Sequence, residues 1–196
     1  SDVAELSLGS ATALGSGSAV EISNTGNILL GAVRAEGDEV TLTSEGGWIN
    51  DNNGATVNVT ASELTITAPE GIGADGNTLE LAVDQLTADG GDVGGAVANA
   101  NALAIAEATL EAAGSGTLTF DAPAITILDV ADDLALVALN RSLVLKSSTG
   151  NIVFLDTDDT IQTQGSGSIT IDAGYASGDS HAVAIIGNLE TANQAI

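Results

Sequence analysis

The segment 114-GSGTLTFDA-122 returns as 165-GSGSITIDA-173, a looser copy stands at 15-GSGSAVEIS-23, and a second echo pairs 25-TGNILL-30 with 149-TGNIVF-154. Each unit is a Gly-containing corner followed by a short alternating strand. Imperfect repetition of such units marks a solenoid, in which a coil buries its apolar face only by stacking on its neighbours. With coils of about 20 residues, ordinary for such repeats, the 196-residue chain predicts about nine or ten coils.

Working outward, the same two-residue alternation recurs in 39-EVTLT-43, 56-TVNVT-60, 63-ELTIT-67, 117-TLTF-120, 124-AITIL-128, 142-SLVLK-146 and 168-SITID-172. Each reads as a strand with one buried face. Between them lie 44-SEGG-47, 51-DNNG-54, 75-DGN-77, 89-DGGD-92, 148-STGN-151 and 164-QGSGS-168, whose Gly and Asn supply the positive φ angles of tight corners. The Ala-rich stretch 98-ANANALAIAEATLEAAG-114 has good helix propensity. Leu103, Ile105, Ala108 and Leu110 fit strand alternation equally well, and strand is the preferred reading. An antiparallel sandwich also fits strands spaced about 8 to 12 residues apart.

Composition narrows the core. Apolar residues are 44% of the chain, yet the aromatics are only Trp48, Tyr175, Phe120 and Phe154, so the interior must be layers of Val, Ile, Leu and Ala. There is no cysteine, which leaves hydrogen-bonded ladders and apolar packing as the sources of stability. The 27 acidic residues face three basic ones (Arg34, Arg141, Lys146), a formal net charge of -24. Phosphate binding needs clustered Lys and Arg, so nucleic acid is excluded as a partner and anionic membrane surfaces are disfavoured. No apolar run reaches the roughly 20 residues of a membrane-spanning helix. The balance favours a soluble protein of a saline or calcium-bearing medium, and the composition is that of a bacterial exoprotein.

The series 40-VTLTSEGGWINDNNGATVNVTASELTITAPEGIGADGNTLELAVDQLTA-88 and 150-GNIVFLDTDDTIQTQGSGSITIDAG-174 resembles the repeats of filamentous haemagglutinin-type large exoproteins. The resemblance implies an all-β, right-handed, single-stranded parallel β-helix, export by the two-partner route, and adhesive or structural work at the cell surface. It transfers no active-site residues, and the conserved secretion domain of that family is not recognisable here. The repeat pattern runs to 182-AVAIIGNLETANQAI-196 with no recognisable cap at either terminus. Residues 1–196 therefore read as a single solenoid domain, a segment of a longer chain or a unit that stacks on other copies.

Chemistry-bearing residues are sparse. Enzymatic β-helices need a groove with basic residues or paired carboxylates flanked by aromatics, and here these are scattered, so no catalytic residue and no cofactor is expected. His181, in 178-GDSHAVAII-186, has Asp179 and Ser180 beside it, but sequence neighbours point in different directions and form no triad; it reads as a solvated turn residue. Calcium takes six to eight oxygen ligands, and the acidic turns nominate Asp156, Asp158 and Asp159, Asp51 within 50-NDNNG-54, and Asp89 with Asp92 as possible weak Ca²⁺ ligands. None matches an EF-hand loop or a nonapeptide calcium repeat, and solvated turns are the plainer reading. Asn58-Val59-Thr60 and Asn140-Arg141-Ser142 fit the glycosylation pattern and read as chance triplets. Trp48 reads as a core or corner plug.

Three functions follow as expectations: a rigid secreted stalk segment of a surface adhesin, stacking on flanking repeats and touching cell-surface glycans; a self-assembling fibre or surface-layer subunit; and a carbohydrate-active β-helix enzyme.

Overall fold

The computed structural model describes residues 4–73, 77–90, 94–110, 117–128, 136–139, 142–155, 160–164, 168–177, 183–185 and 188–192. Among them are eighteen strands and no helix. Every strand pairing found is parallel, which removes the antiparallel sandwich. The stretch from Ala98 that had a helical alternative lies in strands Gly94–Asn99 and Leu103–Leu110 with a short bend at 100–102 between them; 111–114 lie outside the described residues.

Two ladders build the solenoid. On one, Leu6 lies under Ile28, Ile28 under Ile49, Ile49 under Ile72, Ile72 under Gly95, Gly95 under Leu118, Leu118 under Leu143 and Leu143 under Ile169. On the other, Val20, Val40, Leu64, Leu86, Ile105, Ile127, Phe154 and Ile185 form a second such column. The chain is an all-β parallel β-solenoid, with about six turns enclosing the sealed core from Ile28 to Phe154. The count of nine or ten coils is not met, because a coil is longer than 20 residues at most levels. The step is 22 residues from Leu6 to Ile28, 26 from Leu143 to Ile169 and 31 from Ile152 to Val183.

Alternation explains the interior. Strand Ser142–Ser147 buries Leu143, Leu145 and Ser147 while Ser142, Val144 and Lys146 stay partly exposed, and strand Thr117–Ala122 repeats the pattern one coil below. Each fully buried Leu or Ile adds about 1.5–3 kcal/mol, and a stack of small aliphatics fills a narrow interior that aromatics would distort. Two aromatics are accommodated: Phe120 is fully buried between Val97 and Leu145, and Phe154 is buried above Ile127. Outside, Thr41, Thr65 and Thr87 stack in register, β-branched residues suited to a pleated surface.

The echo 117–122 and 168–173 is positional: Thr117 pairs with Ser142 and Ser142 with Ser168, so the two copies share columns two coils apart. The other echoes are not. Val20 and Ile22 lie under Val40 and Leu42 on the second ladder. Ile28 stands over Leu6 on the first ladder, whereas Ile152 pairs with Ile125 and Val183 on the second. What 25–30 and 149–154 share is a corner: Asn24 Nδ2 donates to the Asn27 carbonyl at 2.9 Å, and Ser147 Oγ donates to the Gly150 carbonyl at 2.7 Å. Both side chains are buried and tie down the main chain three residues ahead. Strand Asn27–Ser44 is longer than expected because one extended segment serves both ladders, bending at a register shift between Ala35 and Glu39 where Gly37 takes φ +79°.

Close coil stacking makes some glycines obligatory. A Cβ on Gly31 would run into the Gly9 carbonyl oxygen of the coil beneath, whereas a Cβ on Gly9 meets nothing. Gly31→Ala is expected to lower stability by about 1–3 kcal/mol, the usual cost of overpacking, and Gly9→Ala to change it by less than about 0.5 kcal/mol. Paired urea melts of the two variants check this, and equal midpoints would contradict the stacking described.

Candidate functional site

The two inner columns of the first ladder are joined directly in one coil and by excursions in the next two. Val33 follows Ile28 by 5 residues, but Val59 follows Ile49 by 10 and Leu81 follows Ile72 by 9, although Val33, Val59 and Leu81 stack on one another. The surplus residues after Ile49 leave the wall as a loop, 51-DNNG-54 with its flanks, whose sequence accounts for its shape. The Asp51 carboxylate accepts from the backbone N–H of Asn53 (Oδ1, 2.8 Å) and Gly54 (Oδ2, 2.8 Å), and Gly54 takes φ +64°. A short acceptor followed by a residue tolerant of positive φ is the chemistry of such a turn.

Asn58 seals the gap the excursion leaves. Its Nδ2 donates to the carbonyls of Leu30 (2.9 Å) and Gly31 (3.2 Å) and to Asp51 Oδ1 (2.7 Å). Its Oδ1 accepts from Glu80 N at 2.9 Å, so one fully buried amide links three successive coils. The Asn58-Val59-Thr60 triplet is therefore structural, and a folded coil has no room for a glycan there. Asn99 does similar work one level above Leu81, with Nδ2 donating to Val83 O at 2.9 Å and Oδ1 accepting from Val83 N at 3.0 Å.

Glu80 stands on the outward side of strand Leu79–Ala82, next to this loop. Partial burial and then the nearby Asp51 carboxylate push its pKa above the usual carboxylate range, against a smaller lowering by a backbone hydrogen bond. Glu80 Oε2 and both amide atoms of Asn53 are enclosed without a hydrogen-bond partner. Glu80 also lines a shallow cleft of about 280 Å³ with Ala55, Val57, Leu81 and Ala98. Asn77 of the neighbouring excursion reaches the Asp51 carbonyl at 3.5 Å. Of the sequence-nominated calcium ligands, then, Asp51 lies in a built environment. Asp89 is exposed at the end of strand Gln85–Asp89, and Asp92, Asp156, Asp158 and Asp159 lie outside the described residues. Among the described residues no three acidic or histidine side chains converge as a metal-binding group.

His181 and Asn140-Arg141 also lie outside the described residues. Trp48 is a half-buried corner residue rather than a core plug: its backbone N–H donates to Asn27 Oδ1 at 3.3 Å and its carbonyl accepts from Ile28 N at 2.8 Å. Arg34 lines a cleft of about 400 Å³ at the first coils with Thr12, Leu14, Glu36 and Gly37. Exposed Tyr175 donates to Asp121 Oδ2 at 2.9 Å, which together with slight burial raises the phenol pKa. Lys146 stands in register between Asp121 and Asp172. Sequence reading missed Glu80 and Asn58 as partners of Asp51. Alternation in 79-LELA-82 turns Glu80 outward, but nothing local says that it lies beside a turn one coil away.

No protein-family model, curated protein or solved structure matches the chain. The site's reading rests on its own geometry.

Two outcomes are expected. Asn58→Ala leaves buried carbonyls and the Glu80 N–H unpaired at about 1–3 kcal/mol per group, so a loss of about 3 kcal/mol or more is expected in equilibrium denaturation. Glu80's raised folded-state pKa means that the folded chain holds the Glu80 proton more tightly than the unfolded one. Its contribution to stability is fully present below the unfolded-state value and is lost as pH rises through the raised one. In metal-free buffer Glu80→Gln should therefore be more stable than wild type at pH 7, with the gap closing below about pH 4. A gap that does not change with pH would contradict this electrostatic account.

Proposed function

We propose that this chain is a rigid β-solenoid stalk segment of a large bacterial surface exoprotein of the filamentous haemagglutinin type, right-handed, secreted, and structural or adhesive rather than catalytic. The observation that carries the reading is the continuity of the parallel ladders from strand Glu5–Thr12 to strand Asn188–Ala192. A chain wound this way is a rod. Its length grows by about 4.8 Å per coil, and each coil is held chiefly by the two beside it, an architecture suited to spanning distance and displaying outward side chains. Flanking repeats of the same protein are the proposed partners, with cell-surface glycans as the proposed ligand of the outer faces.

A second reading is end-to-end assembly of separate copies. It is favoured by the first coil, where Leu6, Leu8, Val20 and Ile22 are only partly covered and the outer edge of strand Glu5–Thr12 has no paired strand among the described residues. Such an edge accepts another strand. The stacking of a further coil there is compatible with either a longer polypeptide or a second copy.

An antibody raised against the folded chain tests the main proposal on intact source cells. The expected result is surface labelling that external protease removes. Retention of the whole product in the cytosol would overturn the stalk reading. Sedimentation of the isolated chain decides the second: concentration-dependent growth supports assembly, and a monomer at millimolar concentration removes it.

A further inference from the structure

We propose that copies of this chain join head to tail in one defined register, with strand Glu5–Thr12 of one copy seated on strand Ser168–Ala173 of another so that the inner columns run on unbroken. The proposal rests on the end-to-end reading above and fixes which strands meet and which residues face each other. Three observations carry it.

The first is where apolar cover is lacking. Along the first ladder Ile28, Ile49, Ile72, Leu118 and Leu143 are buried, whereas Leu6 and Leu8 in one strand and Ile169 and Ile171 in the other are only partly covered. Among the described residues each of these two strands pairs on one side alone, Glu5–Thr12 with Asn27–Ser44 and Ser168–Ala173 with Ser142–Ser147. Both therefore present an open parallel edge on the same column of the solenoid, and the two edges face opposite ways along its axis. A contact between unlike faces of this kind repeats into an open filament.

The second is the internal repeat. Thr117, Leu118, Thr119 and Phe120 are covered residue for residue by Ser142, Leu143, Val144 and Leu145. Their copy, Ser168-Ile169-Thr170-Ile171, keeps the same strand phase and lacks that cover. Glu5-Leu6-Ser7-Leu8 has the Leu-x-Leu spacing of the strand that covers the first copy, and its inward Leu6 and Leu8 already stand on the ladder. The first coil of one molecule thus offers 168–171 what 142–145 gives 117–120, and continues a packing that the chain already uses between its own coils.

The third is charge. Setting Leu6 over Ile169 places Glu5 opposite Ser168 and Ser7 opposite Thr170. Neither pair sets like charges against each other, an arrangement that destabilises adjacent strands, although the chain carries a net charge of -24 and tolerates Glu39 under Glu63 within its own wall.

The test exploits the absence of cysteine. Ser7→Cys and Thr170→Cys, both at exposed outward positions, are combined in the whole 196-residue chain. At the proposed junction the two thiols stand on adjacent strands about 4.8 Å apart, within disulfide reach. Within one molecule they lie at opposite ends of the column and cannot meet. Mild oxidation at high salt, which screens the net charge, is expected to give a ladder of disulfide-linked multimers on non-reducing gels. Ser7→Cys combined with Asp172→Cys, displaced by two residues along the strand, should give far fewer, and either single variant should stop at dimers. The reduced proteins are sedimented in parallel. Growth with concentration but no preference for the 7 and 170 pair overturns the proposed register and leaves end-to-end assembly standing. A monomer throughout, without cross-linked multimers, removes both.

Discussion

Backbone hydrogen bonds in this protein run from each coil to the coils above and below, in parallel register, and nearly everything else follows from that constraint. A residue's neighbours in space are the residues one coil earlier and one coil later, so a side chain is accepted only if it can stack about 4.8 Å from another. Aliphatic side chains of similar volume satisfy this inside, as in the column through Val40, Leu64, Leu86 and Ile105. Threonines satisfy it outside. Where main chains themselves come together, as at Gly31 over Gly9, even a methyl group has no place.

The same constraint makes charge expensive on the wall. Glu39 stands in register under Glu63, a like-charge pair, whereas Asp121, Lys146 and Asp172 alternate in sign up one column. With a net charge of -24, alternation of the second kind is rare. The outward Glu and Asp residues are tolerated because water and counter-ions screen them. Glu80 is the instructive departure, because the loop beside it limits that screening and its carboxyl responds with a raised pKa.

Interruptions of the ladder are repaired by side chains that imitate main chain. Asn58 and Asn99 each present a donor and an acceptor to backbone groups that have lost their usual partners. At corners, Asn24 and Ser147 donate to main-chain carbonyls and Ser44 Oγ accepts from the Gly47 N–H. The excursion held by Asp51 and Asn58 is thus more than a surface loop. It is the point where the solenoid's regular bonding gives way to a small polar assembly built from several coils, which is why the chemically distinctive atoms of the described chain gather there.

The sequence by itself determined the element type, the identity of many inward residues and the solenoid class. Those depend on the period-two alternation and on Gly, Asn and Asp at corners, both local properties readable in segments such as 63-ELTIT-67 and 142-SLVLK-146. It also exposed one positional repeat, 117–122 with 168–173, because those copies preserve both corner and strand phase. It did not determine the coil length, since excursions of unequal size separate the columns and a fixed 20-residue period overcounts the turns. Nor did it reveal that 25–30 and 149–154 share only a corner motif on different ladders. The association of Asp51 with Asn58 and Glu80 was decided by tertiary structure alone. Residues 51 and 80 are brought together by the register between coils, a quantity set by how many residues each excursion absorbs before the chain returns to the same column.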